Sequence, residues 1–326
     1  MSDTLFDRLA PDMERVESEL RTSTTHVEER ISAPASHLAR AGGKRLRPML
    51  TLLASRLGSG SNERVRTAAV AVELTHLATL YHDDVMDSAP LRRGAPAAHE
   101  VWGNTVAILT GDLLFARSSQ LVAQLGPEAV RIHAETFERL CVGQLNETMG
   151  PQDGQDPVEH YIKVLADKTG SLIATSARYG AMFAGAPARY VDVLEKYGEK
   201  VGVAFQLADD VIDLSSDSAT TGKTPGTDLR EGVDTMPVLL LKQHAAAGTL
   251  DEAGHDILQL LQQDLSGDSE LDALVASLRA HAVIDEAREM ARDWAQAAVD
   301  ELDPLPEGEL RAALTEFAFS LVDRLS

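Results

Sequence analysis

Six aspartates in two matching sets are the residues of this chain best suited to chemistry. Asp83-Asp84-Val85-Met86-Asp87 and Asp209-Asp210-Val211-Ile212-Asp213 repeat one spacing, Asp-Asp-x-x-Asp, far apart in the chain. The outer aspartates of each set are four residues apart, so on a helix they share one face, a turn from each other. Two carboxylates stacked in this way repel and gain little from packing, and a divalent cation between them removes that cost. Oxygen ligands without Cys or His suit Mg²⁺, which binds through one or two carboxylates and completes its shell with water and phosphate. Asp84 is offset by about 100° from Asp83 on a helix, which takes it off the metal face. A basic stretch follows each set, Leu91-Arg92-Arg93-Gly94 after the first and Gly222-Lys223 after the second. That fits an anion held by metal. A solvated acidic face accounts for one motif but poorly for two of equal design, which read as one polyphosphate site seen from both sides.

The elements that must carry these residues are helical. Apolar residues at helical spacing mark a first helix through Leu5, Met13, Val16 and Leu20. A break is expected near Pro34, then the loop Gly42-Gly43-Lys44-Arg45-Leu46-Arg47-Pro48, then an apolar helix from Met49. An apolar run from about Arg64 leads into the first motif, with Ser61 or Asn62 as its cap. Asn104 to Leu125 reads as a buried central helix, Pro127 to Met149 as another, and Pro157 to Ala166 as a short one interrupted at Lys168-Thr169-Gly170. Alternating β-branched runs are scarce, while Ala and Leu abound. The expected class is all-α: one large helical bundle around a central cavity, with residues 1–326 forming a single domain.

Bulk properties narrow the function. The chain has 326 residues and a net charge of −21, with no long basic stripe, which argues against a nucleic-acid partner. An anionic substrate is compatible with local clusters of Lys and Arg. Cys141 is the one cysteine, so an intrachain disulfide is excluded, a reducing cytoplasm is expected, and the thiol reads as a packing residue. The acidic N-terminus does not read as a signal peptide, and no apolar run is expected to span a bilayer. Transient membrane contact remains compatible with that reading.

Taken with His76, Lys168-Thr169 and Gly226-Thr227-Asp228-Leu229, these motifs make the chain resemble the trans-prenyltransferases, the polyprenyl diphosphate synthases. The resemblance covers most of the chain, in order. It implies head-to-tail condensation of isopentenyl diphosphate with an allylic diphosphate. It further implies three Mg²⁺ ions, two on Asp83 and Asp87 and one on Asp209, with Asp84 supporting the site and Asp210 and Asp213 reaching metal through water. Arg92, Lys168, Gln206 and Lys223 would touch the allylic diphosphate, with Thr169 and Lys168 near the reacting carbon. Lys44, Arg47, His76 and Arg93 would hold isopentenyl diphosphate. The family often carries a further lysine where this chain has Val233. A homodimer and product release near a membrane are also implied.

The growing tail is expected to run back along the helix of the first motif. Ala71, Thr75, Ala78 and Thr79 gather on one side of that helix and are small. Short-chain relatives tend to place bulky aromatics four or five residues before the motif, where this chain has Thr79 and Ala78. A heptaprenyl to decaprenyl product follows, of the kind used for a quinone side chain, with Phe137 or Leu140 as a floor. The alternatives are a geranylgeranyl diphosphate synthase, a class I terpene cyclase, and a noncatalytic subunit of a heteromeric synthase. Lys44, Arg47 and Arg93, a second anion site, speak against the cyclase. Two intact aspartate motifs speak against the noncatalytic subunit.

Overall fold

The computed structural model describes residues 4–215, 225–230 and 232–323, and these are almost wholly helical. The chain divides into two compact units. The first comprises the residues up to Leu140, Ser171–Glu199 and Glu301–Leu314; the second comprises Cys141–Gly170, Lys200–Asp300 and the residues from Thr315.

In the first unit, α1 (Leu5–Thr24), α2 (Glu29–Arg40) and α3 (Leu46–Ala54) precede the long α4 (Glu63–Met86). Helix α4 starts at Asn62, whose side chain accepts from the Val65 N–H, and it is apolar nearly all round. Val65, Ala68, Ala71, Leu74 and Leu77 are each wholly buried, the pattern of a core helix. It ends in the first aspartate motif. A hairpin of β1 (Leu91–Arg92) and β2 (Ala95–Pro96) follows, then α5 (Ala98–Trp102), α6 (Asn104–Leu125) and α7 (Pro127–Met149). Helix α9 (Ser171–Phe183) and the start of α10 (Ala188–Ser215) complete this unit, with the end segment at Leu314.

Buried tyrosines tie these helices together. Tyr81, two residues before the motif, donates to Pro34 O at 2.5 Å and accepts from the Leu38 N–H, which pins the end of α4 to α2. Tyr179 donates to Ala129 O and Tyr197 to Leu314 O, each at 2.6 Å. The break expected at Pro34 does not occur, since α2 runs through it. Proline removes one helix bond, and burial of Pro34 with Ala35 and Leu38 outweighs that loss.

Helix α6 also departs from expectation. It meets α4 along one face, where Ser118 donates to Ala71 O and bonds the Thr75 hydroxyl, each at 2.8 Å. Its other side leaves Val106, Ile108 and Leu109 exposed, so it is not the buried central helix that its composition suggests. At 22 residues it is long and apolar enough to cross a membrane by length and composition alone. Cys141, expected in packing, is likewise exposed.

The second unit holds the end of α7, α8 (Pro157–Leu165), a π-helical turn (Ala166–Gly170) and the end of α10. Next come α11 (Thr227–Arg230), α12 (Met236–Ala247), α13 (Glu252–Leu260), α14 (Asp268–Ala280), α15 (Val283–Glu301) and the end of α16 (Glu309–Val322). Its core joins Val203, Leu207 and Val211 of α10 to Met236, Leu240, Leu274 and Ala287.

One buried group in the first unit ties stability to pH. His133 on α7 is enclosed, stacks on Phe115 with ring centroids 5.4 Å apart, and its Nε2 has no hydrogen-bond partner among the described residues. Burial lowers its pKa from 6.5 to about 4. Between those values the unfolded chain binds the proton and the folded chain does not, so this contribution to stability is full above pH 6.5 and falls as pH drops toward 4. His133→Phe keeps a ring in the stack and removes the titration. Melting temperatures measured across that window should fall less steeply for the variant, and equal slopes would contradict the assignment.

Candidate active site

Helix geometry sorts the first motif. Asp83 and Asp87 lie one turn apart, joined by the Asp87 N–H to Asp83 O bond at 2.8 Å; Asp83 is half-buried and Asp87 exposed. Asp84 points the other way, is wholly buried, and accepts from Arg92 Nε at 2.5 Å. Burial pushes the Asp84 pKa up and Arg92 pulls against it. Asp84 is therefore the anchor that sets Arg92, while the outer pair lies on another face of the helix.

Arg93 and Gly94 form the hairpin turn with φ of 55° and 76°, the left-handed pair that a two-residue hairpin requires. The turn sends the Arg93 guanidinium back to the glycine loop, where it donates to Gly42 O and to Leu38 O. It fills the space beside Gly43, where a Cβ would come within 2.7 Å of it. His37 holds the far end of the hairpin through Nε2 and Pro96 O at 2.7 Å.

Around this turn the expected basic residues gather. Burial drives the His76 pKa well down, with Arg47, Arg93, Arg92 and Arg45 adding to the effect, so the ring is neutral. Arg47 is buried, and burial lowers its pKa to about 10 with Glu73 opposing and Arg93 assisting. Lys44 is exposed. Two residues that motif reading left out belong here. Arg45, with φ of 50°, bonds Glu17, Glu73, Gly42 O and Ala39 O. Glu73, 1% exposed, is the charge in an otherwise apolar stretch of α4. An acidic residue inside Ala71-Val72-Glu73-Leu74 was the available signal.

Ala71 and Thr75 are packed on Ser118 of α6, and Ala78 O lies 3.1 Å from where a Gly111 Cβ would stand. These small side chains permit a close approach of α4 and α6. Thr79 is half-buried and its hydroxyl turns back to His76 O. Phe137 stacks on Phe115 with centroids 3.8 Å apart, and Leu140 is buried.

In the second unit Lys168 and Thr169 sit on the π-helical turn, where sequence suggested only an interruption. Such turns widen the helix by one residue and often mark functional positions. Two glycines seat it. A Cβ on Gly143 would lie 2.7 Å from Lys168 N, and one on Gly202 would lie 2.5 Å from Gly170 Cα. Lys168 pairs with Glu147, and Thr169 is buried.

On α10, Gln206, Asp209 and Asp213 are three and four residues apart, all half-buried on one face. Asp210 repeats the behaviour of Asp84. It is buried, accepts from Tyr161 OH at 3.0 Å and from the Met236 N–H at 3.2 Å, and burial raises its pKa well above the usual carboxylate range. Both bonds fall on Oδ2, which anchors that oxygen of Asp210 to α8 and to the start of α12. Lys223 lies outside the described residues.

Each motif thus offers outer carboxylates and no nitrogen or sulfur ligand, a donor set suited to Mg²⁺.

Residues 28–278 match the family model described as Polyprenyl synthetase. The chain is 45% identical over 314 residues to a nonaprenyl diphosphate synthase of Mycobacterium tuberculosis, covering 95% of this chain and 91% of that one. It superposes with a TM-score of 0.84 and 42% identity on a geranylgeranyl pyrophosphate synthase of Corynebacterium glutamicum complexed with calcium and isoprenyl diphosphate, covering 98% and 96% of the two chains. A decaprenyl diphosphate synthase of Rhodobacter capsulatus gives a TM-score of 0.85 at 35% identity, covering 98% of each chain.

The π-helical turn supplies a test. Gly143→Ala forces a methyl against the backbone at Lys168, where no flexible side-chain end can yield. We expect turnover to fall by about tenfold or more, with a melting temperature lower by several degrees, as overpacking costs about 1–3 kcal/mol. Unchanged turnover in steady-state assays would show that the seat of Lys168 does not matter.

Proposed function

From the premise that the chain belongs to the polyprenyl synthetase family, we propose that it condenses isopentenyl diphosphate with an allylic diphosphate to give a heptaprenyl to decaprenyl diphosphate. The observation that carries this reading is the match, over nearly the whole chain, to a relative named nonaprenyl diphosphate synthase.

The chemistry suits the residues. The allylic C–O bond breaks and its electron pair leaves with the diphosphate. The double bond of isopentenyl diphosphate attacks the cation, a C–C bond forms, and loss of a proton restores a double bond. Asp83, Asp87 and Asp209 would hold three Mg²⁺ ions. When bound, these neutralise charge at the departing diphosphate, and in such a reaction that stabilisation outweighs any other catalytic effect. Arg92, Lys168, Gln206 and Lys223 bind that diphosphate from the protein side. Arg92 is oriented by Asp84 and Lys168 by Glu147. Lys44, Arg47, His76 and Arg93 hold the second diphosphate, with His76 offering a ring N–H. Thr169 and Lys168 lie near the reacting carbon. The departed diphosphate takes the proton, as the family resemblance implies.

Ala78 and Thr79, in the turn before Asp83, put no bulk in the way of a lengthening tail, and with Ala71 and Thr75 they favour a long product. Phe137, stacked on Phe115, is the proposed floor. The likeness to a geranylgeranyl pyrophosphate synthase favours a second reading, a shorter C20 product. We place the enzyme in the cytoplasm as a homodimer. The exposed face of Val106, Ile108 and Leu109 on α6 suits a second copy of the chain, and product release near a membrane suits an insoluble product.

The purified chain, given farnesyl diphosphate, isopentenyl diphosphate and Mg²⁺, should yield C35 to C50 products on reversed-phase chromatography, and EDTA should abolish them. Ala78→Phe should shorten them. A wild-type product ending at C20 would favour the second reading, and no consumption of isopentenyl diphosphate would end both.

A further inference from the structure

We propose that Glu73 is a positioning residue for the second diphosphate: through Arg45 it holds the glycine loop and the start of α3, and its buried charge lies beside the cations that would meet that diphosphate. This rests on the reading that Lys44, Arg47, His76 and Arg93 hold isopentenyl diphosphate. Glu73 itself does not touch substrate.

The geometry begins with Arg45. Its Nη1 donates to Glu73 Oε1 at 2.9 Å and to Gly42 O at 3.1 Å, its Nη2 donates to Ala39 O at 3.0 Å, and its Nε donates to Glu17. Each nitrogen of the guanidinium is thereby committed to protein acceptors on α1, α2, α4 and the loop. Arg45 also occupies the cap of α3 in the left-handed region, with φ of 50°. A non-glycine residue persists there when its surroundings over-determine it. Lys44 and Arg47 flank this fixed point in sequence, so the Arg45–Glu73 pair sets where both begin.

The electrostatics give Glu73 a second task. A carboxylate at 1% exposure is costly unless paired, and Arg45 pairs it. Arg45 Nη1 is shared between Glu73 Oε1 and Gly42 O, and Arg93 donates to the same Gly42 O, so the carboxylate sits beside this cluster of cations. Arg47 Nε is buried with no hydrogen-bond partner among the described residues. An incoming diphosphate therefore meets Glu73 as a nearby like charge. Glu73→Gln keeps an acceptor for Arg45 and removes only the charge, which should strengthen diphosphate binding. Arg45→Gln leaves Glu73 without its partner and should weaken it. A role confined to fold stability predicts neither opposite sign.

The test is isothermal titration of isopentenyl diphosphate, without metal and at fixed ionic strength, into the full-length wild type, Glu73→Gln, Arg45→Gln and the double variant. We expect Kd about fivefold or more tighter for Glu73→Gln, about fivefold or more weaker for Arg45→Gln, and within about twofold of wild type for the charge-balanced double variant. Unchanged or weaker binding by Glu73→Gln would overturn the proposal. Should Glu73→Gln not fold, the double variant must bind more tightly than Arg45→Gln, and equal affinities would overturn it. Absence of saturable binding by the wild type would instead overturn the assignment of the second diphosphate site.

Discussion

Each aspartate motif turns its middle carboxylate inward and holds it there. Asp84 is enclosed against Arg92, and Asp210 against Tyr161 and the Met236 N–H. The rest of the site depends on that constraint. A helix that buries one aspartate must present the residue before it on a different face, because successive positions turn by about 100°, and the aspartate four residues beyond that one lies on the same face as it. The inner aspartate therefore fixes the rotation of its helix, and the outer aspartates inherit it.

The same economy of charge runs through the basic side. Arg92 is set by Asp84, Lys168 by Glu147, and Arg45 by Glu17 and Glu73. Few of these cations rely on solvent to stay in place. A site built to receive highly charged diphosphates must gather like charges beforehand, and buried or half-buried carboxylates make that gathering stable. The backbone contributes as well, through a left-handed hairpin turn at Arg93 and a π-helical turn at Lys168.

Much of this was legible from residue types and spacing. The helical class and the boundaries of α6 and α7 followed from apolar periodicity and from Gly-Pro punctuation. The offset of Asp84 followed from helix geometry, and the same offset applied to Asp210 would have shown that it too faces inward. Other features depended on tertiary contacts that no local pattern encodes. The π-helical turn exists because Gly143 and Gly202 leave room behind it. Helix α2 passes through Pro34 because Tyr81 and the neighbouring core hold it. The apolar character of α6 says that something must cover it, but not whether the cover comes from the same chain. Glu73 is visible as a lone charge in an apolar run, but its pairing with Arg45, 28 residues away, is a tertiary contact that no local pattern encodes.

The most direct test separates inner from outer aspartates. Mn²⁺ binding is measured by electron paramagnetic resonance in the presence of a non-ionisable thiolo analogue of an allylic diphosphate. Asp83→Asn, Asp87→Asn and Asp209→Asn should each lose bound ions or bind them more weakly, whereas Asp84→Asn and Asp210→Asn should keep the wild-type number. Equal loss from inner and outer variants would contradict the division of labour between anchoring and metal-holding carboxylates.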